Sequence, residues 1–354
     1  MIVDLGNMIE VPANASRFFE DSSEASSAPV GIIQLAIEDD LLFNRRYNQD
    51  LIVYDEQYCT TMASLESSYE LPILSYLDSV LNQFDDSPRI IDIGCGQGEL
   101  VTKLRDRGFD AFGFDPVSRT DSAFITKSLW KPTDASADLF IMRCVLPHIP
   151  SPWDFLDDLF LANPVAKVLI EYQRIEWSIQ ERLWYQINHD HVNLFRLENF
   201  ENRYNVSMSG IFSNGEWQWV LIERNRNSTR ISGHAPKWLS KISNLINDRS
   251  DFMEKISKLD KRIVIWGAAG KGIVLAHAIS KVRSDFEITD ADANRWNFFL
   301  EGSGKKVNPP LEIRDNLDLD SLVLVANPNH LSQVQNYLGL TFKTGLPSDF
   351  LDLN

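Results

Sequence analysis

Arg89-Ile-Ile-Asp-Ile-Gly-Cys-Gly-Gln-Gly98, followed by a helical stretch over 99–107 and a second apolar run, Ala111 to Phe114, that ends on Asp115, decides the fold of this chain. A short apolar run that stops in a glycine cluster reads as a buried strand turning sharply into a helix. The acid about 20 residues past the glycines, at the end of the next strand, is placed to accept hydrogen bonds from ribose hydroxyls. Glycines at 94, 96 and 98 allow a tight turn and let a ligand lie against bare backbone.

Outward from this unit the alternation continues. Strands are expected at 137–142 and 166–171, with a helix over 152–161 between them. A hairpin is expected within 204–223, turning at Ser213-Asn214-Gly215. Upstream, the spacing Leu71, Leu74, Leu77, Leu81 predicts a helix that Asp85-Asp86-Ser87-Pro88 terminates. Residues 1–70 show weak periodicity and read as an irregular module, with a loop over 21–29 and an apolar piece over 31–37. A polar stretch, 225–233, reads as a linker. Beyond it a helix over 238–259 leads into a second strand, glycine loop and helix: 262–266, Gly267-Ala-Ala-Gly-Lys-Gly272, then 273–280, with Asp290 and Asp292 about 20 residues on and further strands at 286–289 and 322–326. The expectation is an α/β chain in three parts: the module at 1–70, a Rossmann-like domain at 71–225, and a smaller Rossmann-like domain at 235–354.

Composition narrows the functions. Lys and Arg number 34 against 50 Asp and Glu, a net charge of −16, which disfavours nucleic acid as a substrate because the chain shows no basic cluster to offset it. Three separated cysteines give neither a disulfide framework nor a Cys-only zinc site, and suit a reducing cytoplasm. No run approaches the ~20 apolar residues of a membrane span, and the N-terminus lacks a basic start followed by an apolar stretch.

The spacing Gly-x-Gly-x-Gly, with an acid two residues before the first glycine, resembles motif I of class I S-adenosylmethionine (SAM)-dependent methyltransferases. That resemblance implies that Gly94, Gly96 and Gly98 approach the amino-acid end of SAM, that Asp92 helps to hold its ammonium, that Asp115 binds the ribose, and that Arg143 belongs to the same set. A longer resemblance covers nearly the whole chain. The block Ile141-Met-Arg-Cys-Val-Leu-Pro-His-Ile-Pro150, with Asp4-Leu-Gly-Asn7, Gly31-Ile-Ile-Gln-Leu35, Tyr54-Asp-Glu-Gln-Tyr58, Asn188-His-Asp-His191, Trp266-Gly-Ala-Ala-Gly-Lys-Gly272 and Asn327-Pro-Asn329, is similar, in order, to the C-methyltransferases of deoxysugar-nucleotide biosynthesis. Those enzymes remove a proton beside a sugar ketone and methylate the resulting enolate.

The resemblance implies His191 as the base and Asp190 as its orienting carboxylate, with a one-residue slip exchanging the roles of His189 and His191. Tyr58 matches a tyrosine that closes over the site, and His148 lies near the transferred methyl group. Glu171 and Asn188 fall at substrate positions, and Gly267, Gly270, Lys271, Gly272 and Asn327 are expected to hold the nucleotide of the sugar donor, with Lys271 as phosphate partner. The implied cofactor is SAM, with S-adenosylhomocysteine (SAH) as product, and the implied partner is a small nucleotide sugar or phosphosugar.

The chain departs from that family in three places, one of them Pro147, where the family often has an acid before His148. Ser27 and Val30 stand where a zinc-holding cysteine pair belongs, so no zinc or other metal is expected. The family's Tyr-x-Glu-His reads Asn188-His189-Asp190-His191, which removes a phenol and shortens the carboxylate by one carbon. O-methylation of a sugar, which needs only a base near a hydroxyl, is the first alternative. An NAD(P)-linked epimerase or reductase working through the second glycine loop, and a SAM-binding protein without catalysis, are the others.

Overall fold

The computed structural model describes residues 3–5, 8–55, 70–225, 239–339 and 343–351. Its largest sheet has seven strands. In chain order these are Arg89–Ile93, Asp110–Phe114, Ile125–Thr126, Leu139–Arg143, Lys167–Gln173, Asn205–Phe212 and Trp217–Glu223, and their spatial order is 3-2-1-4-5-7-6. The first five are mutually parallel, and Trp217–Glu223 runs antiparallel between its two neighbours. Ile90, Ile91, Leu139, Phe140, Ile141, Val168 and Ile170 are fully buried, as parallel strands covered on both faces require. The helix at 70–81 forms, and its buried face keeps Leu77 and Leu81 but is turned away from Leu71. Ile73, Tyr76, Leu77, Val80 and Leu81 pack inward, the i, i+3, i+4, i+7, i+8 stripe, while Leu71 is 80% exposed.

The second sheet has five parallel strands, Ile263–Trp266, Phe286–Thr289, Val307–Asn308, Leu322–Val325 and Lys343–Gly345, in spatial order 3-2-1-4-5. The two sheets share their doubly wound order. In each, the first and fourth strands are neighbours whose crossovers leave in opposite directions, and a crevice opens there at the strands' carboxyl ends. The glycine loops Gly94–Gly98 and Gly267–Gly272 sit at these two crevices.

The N-terminal region is more regular than its sequence suggests. Val3–Asp4, Leu35–Glu38, Leu41–Asn44 and Asn193–Leu194 make a four-stranded antiparallel sheet. Ile9–Pro12 pairs with Val30–Ile33, and Phe18–Phe19 with Phe299–Leu300. The module is therefore stitched to both larger sheets' segments, in place of the separate irregular unit expected over 1–70. The expected loop over 21–29 contains a helix, Ser22–Ser26, because Asp21 accepts hydrogen bonds from the amides of Ser23 and Glu24. The long helix Leu239–Lys258 buries Ile242, Leu245, Ile246, Phe252, Met253 and Ile256 in one core with residues of the N-terminal strands and the second sheet. Most of the linker at 225–233 and Tyr58 lie outside the described residues. Among the described residues no helix is long and apolar enough to cross a membrane.

Candidate functional site

The first glycine loop is built by its own backbone demands. Gly98 has φ +81°, and a β-carbon there would lie 2.0 Å from Ile125 Cδ1, so only glycine can both end the loop and start the helix Glu99–Asp106. The Gly94 amide donates to the Phe114 carbonyl at 2.7 Å. Asp115 binds the loop directly: its Oδ2 accepts from the Gly96 amide at 2.9 Å and its Oδ1 from the Val117 amide at 2.9 Å. Burial raises the Asp115 carboxyl above its ordinary value, and these two amides oppose the shift. Each carboxylate oxygen keeps a second lone pair for a ribose hydroxyl.

Below the loop lies a buried charge network. Glu171 accepts from Arg143 Nε at 3.1 Å, from the Tyr76 hydroxyl, and from Cys144 Sγ at 3.5 Å. This corrects the expectation that Glu171 binds substrate. Its strand continues to Gln173, so Glu171 lies inside the sheet, 2% exposed, with its carboxylate engaged by side chains. Its work is to fix Arg143, which does line the cavity together with Asp92.

Asp92 is pushed up to about 7 by burial, with the Arg143 guanidinium opposing. A carboxyl raised above its unfolded value contributes stability that is fully present below that value and lost as pH rises through about 7. The ammonium at the amino-acid end of SAH prefers the ionised form. SAH affinity should therefore rise up to about tenfold between about pH 6 and about pH 8, while Asp92→Asn should flatten the profile. Calorimetric titration at both pH values measures this, and equal affinities in the wild type would remove Asp92 from the cofactor's surroundings.

Gln186 closes a short 3-10 turn, Trp184–Gln186, and the chain then bends at His189 and Asp190. Ile187 and His189 turn into the core, whereas Gln186, Asn188 and Asp190 line the cavity. His189 is wholly occupied: Asn48 N–H donates to its Nε2 at 3.1 Å, its Nδ1 lies 3.2 Å from the Ile32 carbonyl, and its ring stacks on Tyr47 at 5.4 Å. It bolts the N-terminal sheet to the site and does not reach the cavity, which removes it from the catalytic set. His191 does line the cavity, with its ring 4.6 Å from that of His148. Burial, then His148 and Lys271, hold His191 well below the ordinary imidazole range, and burial brings His148 down to about 4. No hydrogen bond joins the Asp190 carboxylate to the His191 ring. Instead the Asp190 carbonyl meets His148 Nδ1 at 2.8 Å, so the expected orienting pair is not formed.

The second loop repeats the first. Gly267 N–H donates to the Thr289 carbonyl at 2.9 Å and Ala268 N–H to Asp290 Oδ2 at 2.6 Å. Gly272 is required because a β-carbon would fall 1.7 Å from the Gly267 carbonyl oxygen. Asp290 also pairs with Arg295 at 2.8 Å. Lys271 was expected to meet a phosphate, but its ammonium lies 2.5 Å from Glu216 Oε1, with side chains 11% and 1% exposed. The same carboxylate accepts from Gln173, Asn327 and Asn329 at 3.2, 3.3 and 2.8 Å. Glu216, at the hairpin's turn, went unmarked in the sequence because its partners lie far along the chain.

Both loops open into one cavity of about 1850 Å³, above the ~300–1,000 Å³ of an ordinary small-molecule pocket. Asp92, Gly94, Gly96, Asp115 and Arg143 line it from the first sheet, and Gly267, Gly270, Lys271, Asp290 and Asn327 from the second. His148, Asn188, Asp190 and His191 line it too, while Gly98, Gly272, Glu171 and His189 support it from behind.

A family model described as a methyltransferase domain matches residues 67–205. No curated protein matches the chain. Among solved structures, the magnesium protoporphyrin IX methyltransferase of Synechocystis PCC 6803 with bound SAH is similar over 44% of this chain and 84% of its own, at 12% identity and a TM-score of 0.35. A SAM-dependent methyltransferase from Archaeoglobus fulgidus is similar over 45% and 96%, at 15% identity and a TM-score of 0.33. A protein from Pyrococcus horikoshii OT3 is similar over 47% and 95%, at 13% identity and a TM-score of 0.35.

Residues 67–205 therefore match a methyltransferase domain, and the seven-stranded sheet they contribute to is Rossmann-like in its parallel, doubly wound order. The residues present fit SAM as methyl donor: a glycine turn open to the cavity, a carboxylate at the end of the second strand, and a buried acid two residues before the first glycine.

Proposed function

We propose that the chain transfers the methyl group of SAM to a small, nucleotide-activated sugar, at a carbon beside a ketone. The observation that carries this is the single cavity lined by two strand–glycine–helix openings, large enough for two ligands. In this reading Asp92, Gly94, Gly96, Asp115 and Arg143 hold SAM, while the loop at Gly267 and Gly270, with Asn327, faces the nucleotide. The sugar reaches His148, Asn188 and His191. Residues 71–225 form the methyl-transferring unit, 235–354 the substrate-holding unit, and the N-terminal strands brace the site through His189.

The acceptor is an anion approaching a chain of net charge −16, so its recognition depends on local donors. The loop amides and Arg295 near Asp290 are such donors on the second side. O-methylation of a sugar hydroxyl is the second reading. It is favoured by the missing hydrogen bond between Asp190 and His191, since enolate formation asks more of an oriented base than deprotonation of a hydroxyl does.

Titration of the SAH-loaded protein with nucleoside diphosphates, followed by incubation with SAM and a panel of nucleotide sugars, tests the proposal. A saturable nucleoside diphosphate and a product carrying one new methyl group on the sugar are expected, and nuclear magnetic resonance assigns the methyl to carbon or oxygen. SAH binding with no nucleotide binding and no turnover would favour a SAM-binding protein without catalysis. A bound nicotinamide in place of SAH would turn the reading to an oxidoreductase.

A further inference from the structure

The donor atoms of His148, Asp190 and His191 all lie within 4.8 Å of one another, and the three residues line the same cavity. A first-row ion sits ~2.0–2.2 Å from such nitrogen and oxygen donors, so side-chain shifts on the order of an ångström close the three onto one ion. Asp190 is 2% exposed, and its Oδ1 makes no hydrogen bond. A buried carboxylate oxygen left in that state is costly, and a cation removes the cost. The His148 ring is already oriented, because Nδ1 meets the Asp190 carbonyl at 2.8 Å and turns Nε2 into the lone-pair donor. Metal-bound imidazoles are held in this way, with the second nitrogen on a carbonyl or carboxylate.

We propose that His148, Asp190 and His191 bind one divalent first-row transition ion, which also takes two neighbouring oxygens of the methyl acceptor. Two imidazoles and one carboxylate suit Zn²⁺, Mn²⁺ or Co²⁺ better than Mg²⁺ or Ca²⁺, which prefer oxygen alone. Three protein ligands leave coordination positions open, the arrangement of catalytic rather than structural sites. Beside them, Asn188 Oδ1 and Gln186 Oε1 are buried without partners. These acceptors suit the hydroxyl donors of a polyol that flank the chelated pair.

The substrate class that follows is an acceptor bearing a hydroxyl next to a ketone or to a second hydroxyl. Coordination makes the hydroxyl more acidic. When its proton passes to water, the oxygen's electron pair forms the bond to the methyl carbon, the sulfur–methyl bond breaks, and sulfur keeps that pair as the thioether of SAH. With a ketone, the proton leaves the adjacent carbon instead, and the enolate carbon forms the bond. The acceptor class rests on the methyl transfer proposed above, but the metal site does not.

Co²⁺ is the probe, titrated into the chelator-treated full chain without SAM or sugar and followed by visible absorption. A band saturating at one Co²⁺ per chain is expected in the wild type, with affinity weakened at least about tenfold in Asp190→Asn and in His148→Gln. SAH titration of the same samples reports that each variant is folded, and whichever variant binds SAH as the wild type does decides the outcome. No saturable band in the wild type, or an unchanged Co²⁺ affinity in such a variant, overturns the site. A wild type that binds Co²⁺ and methylates no sugar leaves the site standing and removes the acceptor reading. One that methylates a sugar and binds no Co²⁺ does the reverse.

Discussion

Asp115→Ala should weaken SAH binding by about 10²- to 10⁴-fold, the largest effect expected of any single substitution at the cofactor loop. The carboxylate has two tasks that alanine cannot share. It fixes the loop by accepting from the amides of Gly96 and Val117, and in the proposed reading its remaining lone pairs go to the ribose. Hydrogen bonds to a charged group contribute about 1.5–3 kcal/mol each, so two lost ribose bonds cost about 3–6 kcal/mol, which is that range of affinity. Asp115→Asn keeps one acceptor oxygen and should fall between. Calorimetric titration with SAH measures both. Nucleoside diphosphate binding at the second loop provides the control, because Asp290 occupies the equivalent place there and is untouched. A folded Asp115→Ala protein that binds SAH within about threefold of the wild type would place the ribose elsewhere.

The features legible in the sequence are the local ones. A strand, a glycine turn and an acid about 20 residues later are fixed by residues near one another in the chain, and both such units sit where their spacing puts them. What alternation cannot supply is the order of strands. That both sheets run 3-2-1-4-5 from their first five strands follows from crossovers packing on one side or the other, which no local pattern records. The N-terminal strands are two to four residues long and pair with partners such as Asn193–Leu194 and Phe299–Leu300, too short and too distant for any periodicity to show. One helix there did carry a signal: Asp21-Ser-Ser-Glu24 has the acid-x-x-Glu form of a helix start, and the structure uses Asp21 as the cap.

In the candidate site, partners distant in the chain separate the histidines, not alternation, since 189 and 191 share a parity. His189 is held by Asn44, Asn48 and Tyr47 of the N-terminal region, whereas His191, two residues on, lines the cavity beside His148. Gln186, Ile187 and Asn188 are all buried, so their polarity does not mark which histidine faces the cavity. Lys271 is a similar case. Nothing around it in sequence anticipates Glu216, 55 residues away, and a lysine at a helix start reads as a phosphate ligand until its partner is seen.

That partner makes Glu216→Ala the second large expectation, a loss of about 3–5 kcal/mol in stability. Glu216 is 1% exposed and gathers four donors: Gln173 and Lys271 on Oε1, and Asn327 and Asn329 on Oε2. Gln173 ends a strand of the first sheet, whereas Lys271 and Asn327 begin the crevice of the second, so one carboxylate ties the two glycine-loop sheets together. Removing it strands a buried ammonium and the Gln173 and Asn327 amides, while Asn329 keeps the Ser213 carbonyl, and this costs more than the pair itself is worth. The sign should partly reverse when the lysine goes too: Glu216→Leu with Lys271→Met buries apolar groups in place of the ion pair and should recover part of the loss, leaving the amides' share. Denaturant unfolding of the single and double variants measures this, with the change read at the transition of the second sheet if the two unfold separately. A Glu216→Ala protein as stable as the wild type would mean that the ion pair only breaks even against its desolvation, and that the sheets are held by the shared core around Leu239–Lys258.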